Sequence, residues 1–206
     1  HRDDAFFMGT EKQWNIVALA DGAGSAKLSR ETANQSVMVA VERATQYAIH
    51  SEDPEVAKKQ LEQALDDAIH TVHRTQWEIT NRIAGGEKRK TYTTFLMLIH
   101  HHLSNGGNVF GWVQIGDGYY AAANARNFNP IGEGDHGSDA SGTVFVTSLP
   151  EEKLSKRVHA FHTDGDIDIF LLMTDGIEND LNPSSECYAS GERIDVNVER
   201  FTRRLQ

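Results

Sequence analysis

The alternation of apolar and polar positions divides the chain into two stretches of different period. Segments 5–9 and 14–20 are apolar runs of strand length, rich in aromatic and β-branched residues and bounded by Thr, Asp and Gly, and they predict two adjacent strands. From 29 to 50, Ala33, Val37, Ala40, Val41, Ala44 and Ala48 recur at helical spacing and predict a helix with one apolar stripe. Asp53-Pro54 is an N-cap followed by a first-turn proline. Leu61, Leu65, Ile69, Val72, Ile79 and Ile83 then carry a second stripe as far as Gly85-Gly86, so a second long helix pairs with the first.

Beyond the glycines the period shortens. Segments 91–100, 108–115, 119–124, 143–148, 158–161 and 168–174 are strand-like and separated by turns rich in Gly, Asn and Asp. Two strands, two helices and then strands without intervening helices predict an α+β domain with helices on a largely antiparallel sheet. A final amphipathic helix is expected over 194–205, with Val198, Phe201 and Leu205 on one stripe. No repeat or linker interrupts the chain, and its 206 residues are read as a single domain.

Composition narrows the function classes. Lys and Arg number 20 against 30 Asp and Glu, a formal net charge of -10, and the densest basic run is Lys88-Arg89-Lys90. Binding to a phosphate backbone needs clustered cations, so no nucleic-acid partner is expected. The acidic surplus leaves room for a bound metal cation. A lone cysteine, Cys187, forms no intramolecular disulfide, and no apolar run approaches the roughly 18 residues of a membrane span, so a cytoplasmic location and no membrane partner are expected. The start at His1, with motif-like residues directly behind it, predicts that further N-terminal residues precede this segment.

The acidic residues fall in a pattern. Asp21-Gly22 follows the strand-like run ending at Ala20, Asp117-Gly118 follows Ile115-Gly116, and Asp175-Gly176 follows the run ending at Thr174; Asp3-Asp4 leads into the first strand. A carboxylate at the end of a rigid strand is well placed to hold a hard cation, while glycine turns the backbone and offers its carbonyl. Each pair taken alone also fits an ordinary Asp-Gly hairpin turn. Recurrence weakens the turn reading and leaves both open.

Asp3-Asp4-Ala5, Ala20-Asp21-Gly22-Ala23-Gly24-Ser25, Thr93-Thr94, Gly116-Asp117 and Thr174-Asp175-Gly176, in this order around two helices, resemble the metal-dependent protein phosphatases of type 2C. The Asp-Gly-Ala-Gly-Ser form is similar to that of a bacterial branch. The resemblance covers essentially the whole chain. It implies a four-layer α/β/β/α sandwich, two antiparallel β-sheets flanked by helices, and a monomeric protein-serine/threonine phosphatase acting on phosphoserine and phosphothreonine in proteins. It implies two Mn2+ or Mg2+ ions, with Asp21 bridging them, the Gly22 carbonyl and Asp4 as further ligands, Asp175 on the other ion, and Asp117 at a third, weaker metal. Asp21 and Asp175 would then be the catalytic pair, aiming a metal-bridging hydroxide at phosphorus.

Three departures qualify this picture. The family's phosphate-gripping arginine would lie before residue 1, since Arg2 is too close to Asp3. Ala23 stands where many eukaryotic members have a histidine that protonates the leaving group. The last metal-binding aspartate and the last strand have no counterpart, because Asp195 reads as the N-cap of the 194–205 helix. These departures motivate an alternative, a catalytically inactive phosphatase-like regulatory or binding domain. A structural calcium site is a third reading.

Other residues attract chemistry less. His100-His101-His102 would alternate across a strand and so would not chelate one ion together; at a strand end they are expected to be solvated. His70 and His73 lack a third ligand nearby and are read as structural or surface residues. Cys187 sits in a polar stretch without a partner motif, and Gly22 to Ser25 lacks the Gly-Lys-Ser/Thr ending of a nucleotide loop. The Gly-rich segment 129–141 is read as a loop long enough to be mobile, with a substrate-facing role and plain disorder both open.

Overall fold

A computed structural model describes residues 3–11, 14–47, 50–124, 128–130, 142–164, 167 and 169–174. Strands β1 (Ala5–Glu11) and β2 (Trp14–Ala20) form a hairpin, followed by helices α1 (Ser29–Thr45) and α2 (Pro54–Arg82). Then come β3 (Phe95–His102), β4 (Asn108–Ile115), β5 (Tyr119–Ala123), β6 (Phe128–Pro130), β7 (Val158–Thr163) and β8 (Ile169–Met173). One sheet has the order β1-β2-β3-β4-β7 and the other β6-β5-β8. Every described pairing is antiparallel, in keeping with the α+β expectation.

Alternation along β2 and β3 sorts side chains to two cores. Ile16, Ala18, Ala20, Phe95, Met97 and Ile99 face α1 and α2, whose Val37, Val41, Leu61, Leu65, Ile69 and Val72 are buried against them. The opposite parity, Leu19, Leu96, Leu98 and Trp112, meets Tyr120, Phe170 and Leu172 of the second sheet. The Tyr120 hydroxyl crosses between the sheets and donates to the carbonyls of Val113 and Met97. Complete burial holds its pKa well above the usual tyrosine value, so it stays a donor. Helices, five-stranded sheet and three-stranded sheet are thus three described layers; the helix expected over 194–205 lies outside the described residues.

The second helix begins as expected. Asp53 Oδ1 accepts from the backbone N–H of Glu55 (2.9 Å) and Val56 (3.1 Å), with Pro54 directly after it. Gly111 lets that helix approach β4 closely, because a Cβ there would stand 2.6 Å from Leu65 Cδ1. The first helix ends at Thr45, short of the expected 50.

Two expectations need correction. Segment 143–148 is not a strand: Val146–Ser148 forms a 3-10 turn. Phe145 stacks on Tyr92 at 4.5 Å, and Val146 drops into the helix-side core, its N–H donating to the Thr93 carbonyl at 3.1 Å. Those anchors fold the segment across the sheet instead of along an edge. The histidine run is also less solvated than expected, with only His102 exposed. His101 is fully buried on the helix side, while His100 lies between the sheets, stacked on Phe110 at 5.1 Å and close to Phe170 at 5.3 Å. His73 is a buried structural residue, as expected, and accepts from the Trp77 indole N–H at 3.1 Å.

Leu65→Ala removes a fully buried side chain at the α2–β4 contact. It is expected to lower the unfolding free energy by about 3 kcal/mol, read from urea denaturation midpoints. Burial also pushes the pKa of His100 down, and that of His73 with it. The unfolded chain therefore binds more protons than the folded one as pH falls below about 6.5, and stability falls with it. His100→Gln is expected to flatten this acid limb; an equally steep limb would mean that His100 does not contribute to it.

Candidate active site

The end of the sandwich at which β2 finishes gathers the acidic strand ends. Ala5 pairs with Ala20, and continuing that register by one residue sets Asp4 across from Asp21. Ala5 and Ala20 face the helices, so Asp4 and Asp21 fall on the opposite face, toward the second sheet. Asp21 is half-buried and Asp4 exposed.

Gly22 is wedged. A Cβ on it would stand 2.8 Å from Ser29 Cβ, 2.9 Å from the Asp3 carbonyl oxygen and 3.0 Å from the Ser29 carbonyl carbon. Only glycine fits between the strand leading into β1 and the first turn of α1. The same contact brings the positive end of the α1 dipole up to the site, where it favours negative charge.

Asp21 is held by its backbone. Its N–H donates to Thr94 Oγ1 at 3.1 Å, its carbonyl accepts from the Thr94 N–H at 2.8 Å, and Gly22 bridges to Thr93. Thr93 is tied to the helices through Gln76, whose Nε2 donates to Thr93 Oγ1 (2.8 Å) and Ser36 Oγ (2.9 Å). Gln76 and Ser36 were not anticipated. Their signal in the sequence is a polar residue inside an apolar helical stripe, Gln76 between Val72 and Ile79 and Ser36 beside Val37.

The β4–β5 turn sits on the same threonine. Gly116 has φ +106, which favours glycine, and a Cβ there would stand 2.5 Å from Thr94 Cγ2. This brings half-buried Asp117 beside the Asp21–Thr94 pair. Asp117 Oδ2 accepts from Thr143 Oγ1 at 2.5 Å, a partner 26 positions away that no local pattern announces. Gly118 lies under the Met173 carbonyl, 2.9 Å from where its Cβ would be, and Met173 pairs with Tyr119. The last residues of β8 thus arrive at this same end. Asp175, Gly176, Arg2, Cys187 and Asp195 lie outside the described residues.

Among the described residues, no group of three or more His, Cys, Asp or Glu side chains stands as a ready-made metal site. Asp4, Asp21 and Asp117 lie toward the same end of the sandwich, and their carboxylates, like the backbone oxygen of Gly22, are hard oxygens. That set suits Mg2+ or Mn2+ better than a thiolate- or imidazole-seeking ion.

The sequence profile of the family described as Protein phosphatase 2C matches residues 1–204. No curated protein sequence matches significantly. Among solved structures, the serine/threonine phosphatase Stp1 from Staphylococcus aureus superposes with a TM-score of 0.57 at 15% identity, covering 90% of this chain and 80% of that one. The serine-threonine phosphatase 2C from Toxoplasma gondii gives 0.60 at 12% identity, covering 87% and 75%. The catalytic domain of the serine threonine protein phosphatase PstP, in complex with 2 manganese ions, gives 0.54 at 15% identity, covering 90% and 74%. At these identities the structural likeness speaks for the fold, and the profile match speaks for descent. The chain belongs to the protein phosphatase 2C family.

Proposed function

We propose that the domain, read as one unit over residues 1–206, is an active, metal-dependent phosphatase that hydrolyses phosphoserine and phosphothreonine in proteins. The observation that supports this most is the Asp21–Gly22 strand end, backbone-locked to Thr94, opposite Asp4 and beside Asp117. In this reading Asp21, Asp4, the Gly22 carbonyl and Asp175 would hold two Mn2+ or Mg2+ ions, with Asp21 shared between them, and Asp117 would hold a third. When bound, the ions acidify a water and neutralise charge on the phosphoryl oxygens.

The chain's own residues do the positioning. The Thr94 hydrogen bonds hold the Asp21 backbone at the strand end. Gly22 leaves its carbonyl free of side-chain crowding, and the α1 N-terminus adds favourable potential for an anionic ester. Asp117 is oriented by Thr143. Ala23 has no titratable group, so the proton for the leaving alkoxide has to come from water or from another group. The absence of a helix long and apolar enough to cross a membrane among the described residues, together with the lone Cys187, supports a cytoplasmic place of action. The Asp-Gly-Ala-Gly-Ser motif supports a bacterial origin.

Asp21→Asn and Asp175→Ala are expected to lower Mn2+-dependent hydrolysis of a small aryl phosphate by about 10^3-fold or more, with the metal-free melting temperature unchanged. Retained activity in either variant would sink the assignment. Calorimetric titration with Mn2+ separates it from an inactive binding domain, which need not take up two ions. Gly22→Ala forces its Cβ against the Asp3 carbonyl and Ser29. It is expected to cost about 1–3 kcal/mol of stability and to weaken Mn2+ binding, by the same titration; unchanged affinity would show that Gly22 is a packing residue only.

A further inference from the structure

At the other end of the five-stranded sheet, the β3–β4 hairpin meets the exit of β7. His162 Nε2 is buried there and has no hydrogen-bond partner among the described residues. It lies 3.3 Å from Asp164 Oδ1, an ion-pair distance without hydrogen-bond geometry. Gly107 of the hairpin marks the point on which these groups converge. A Cβ on Gly107 would stand 3.1 Å from His162 Nε2, 3.2 Å from Asn105 Oδ1 and 3.3 Å from Asp164 Oδ1. An imidazole nitrogen, a carboxylate oxygen and an amide oxygen from two separate segments thus lie beside one side-chain-free residue, on the side its Cβ would occupy.

We propose that His162, Asp164 and Asn105 form a second metal site, for a divalent ion of the zinc class. A tetrahedral ion with bonds of about 2.0–2.2 Å sets its ligands roughly 3.3–3.5 Å apart, whereas a charge-assisted hydrogen bond closes to about 2.7–2.9 Å. The His162–Asp164 spacing matches two corners of such a tetrahedron. The buried, unpartnered Nε2 supplies a lone pair that nothing else described uses. Asn105 Oδ1 accepts from the Gly107 N–H at 2.9 Å, which orients the oxygen and leaves its second lone pair available. A mixed nitrogen and oxygen set selects zinc over the magnesium suited to an all-oxygen cage. The Asp164 side chain is 84% exposed, so an ion has a way in and water can take the remaining corner.

This site is separate from the phosphatase centre. It lies at the Asn108 end of β4, while Asp117 follows the Ile115 end, about 24 Å away along eight residues of strand. An ion here would fasten the hairpin to β7, the edge strand of its sheet.

The test is a calorimetric titration of the full chain with Zn2+ in saturating Mg2+, which fills the all-oxygen site, repeated with Co2+ to read the tetrahedral visible bands. Wild type is expected to take up one Zn2+ equivalent under these conditions and to gain melting temperature from it. His162→Ala and Asp164→Asn are expected to weaken that uptake by about 100-fold or more, since loss of an outer partner alone costs 10–100-fold. Asp164→Asn alters an exposed side chain, so it reads binding without endangering the fold, and its Mn2+-dependent phosphatase activity should equal wild type. Zn2+ uptake and melting shift unchanged in both variants, or absent in wild type, would overturn the proposal and leave His162 and Asp164 as an ordinary ion pair.

Discussion

The space left beside Gly22 is the constraint on which the phosphatase end depends, because the strand leading into β1 and the first turn of α1 both come within contact of where its side chain would be. With a Cβ excluded, the Asp3 backbone can lie against Gly22, and that closeness carries the β1–β2 register one residue past Ala5 and Ala20. Asp4 and Asp21 then share a face. The opposed carboxylates therefore follow from backbone packing, not from any attraction between them; two like charges side by side repel. In the proposed function a divalent cation would offset that repulsion.

That placement is rigid because it is tied in three directions. Thr94 exchanges two hydrogen bonds with Asp21 along the sheet, Thr93 reaches through Gln76 and Ser36 into the helix layer, and the Gly116 turn rests on Thr94 from the second sheet. One Thr-Thr pair thus joins all three described layers. Since alternate residues on a strand point to opposite faces, two consecutive threonines are the shortest sequence that can serve both sides at once. Tyr120 repeats this logic deeper in the sandwich, a phenol from one sheet satisfying carbonyls of the other.

Elements with one strong period were legible in the sequence. β2, β4 and the Asp53 cap of α2 fall where the apolar pattern and turn chemistry put them, because a single buried face dictates each. The ordered Asp-Gly motifs were legible as well. The partners were not: Thr143 on Asp117 and Gln76 on Thr93 are contacts across 26 and 17 positions, and periodicity carries no information about which loop returns to which strand. Segment 143–148 misled for a related reason. Its Val, Phe and Thr have strand propensity, yet a stack on Tyr92 and one apolar anchor outweigh a preference that spans only about 1 kcal/mol.

The histidines show how the same rule misjudges burial. Alternation correctly separates His101 from His100 and His102, but it does not say that both faces of β3 are covered, one by helices and one by a second sheet. In such a strand a polar residue finds either a partner or a cost: His100 Nε2 donates to Asn108 Oδ1 at 2.9 Å, and burial keeps the ring neutral. The two ends of the sheet therefore differ in kind. At the Asp21 end the side chains are carboxylates beside backbone carbonyls, while at the hairpin end imidazoles and one carboxylate stand among amides. Charge density rules the first set and lone-pair softness the second, so one domain offers two donor chemistries that the same cation would not fill equally well.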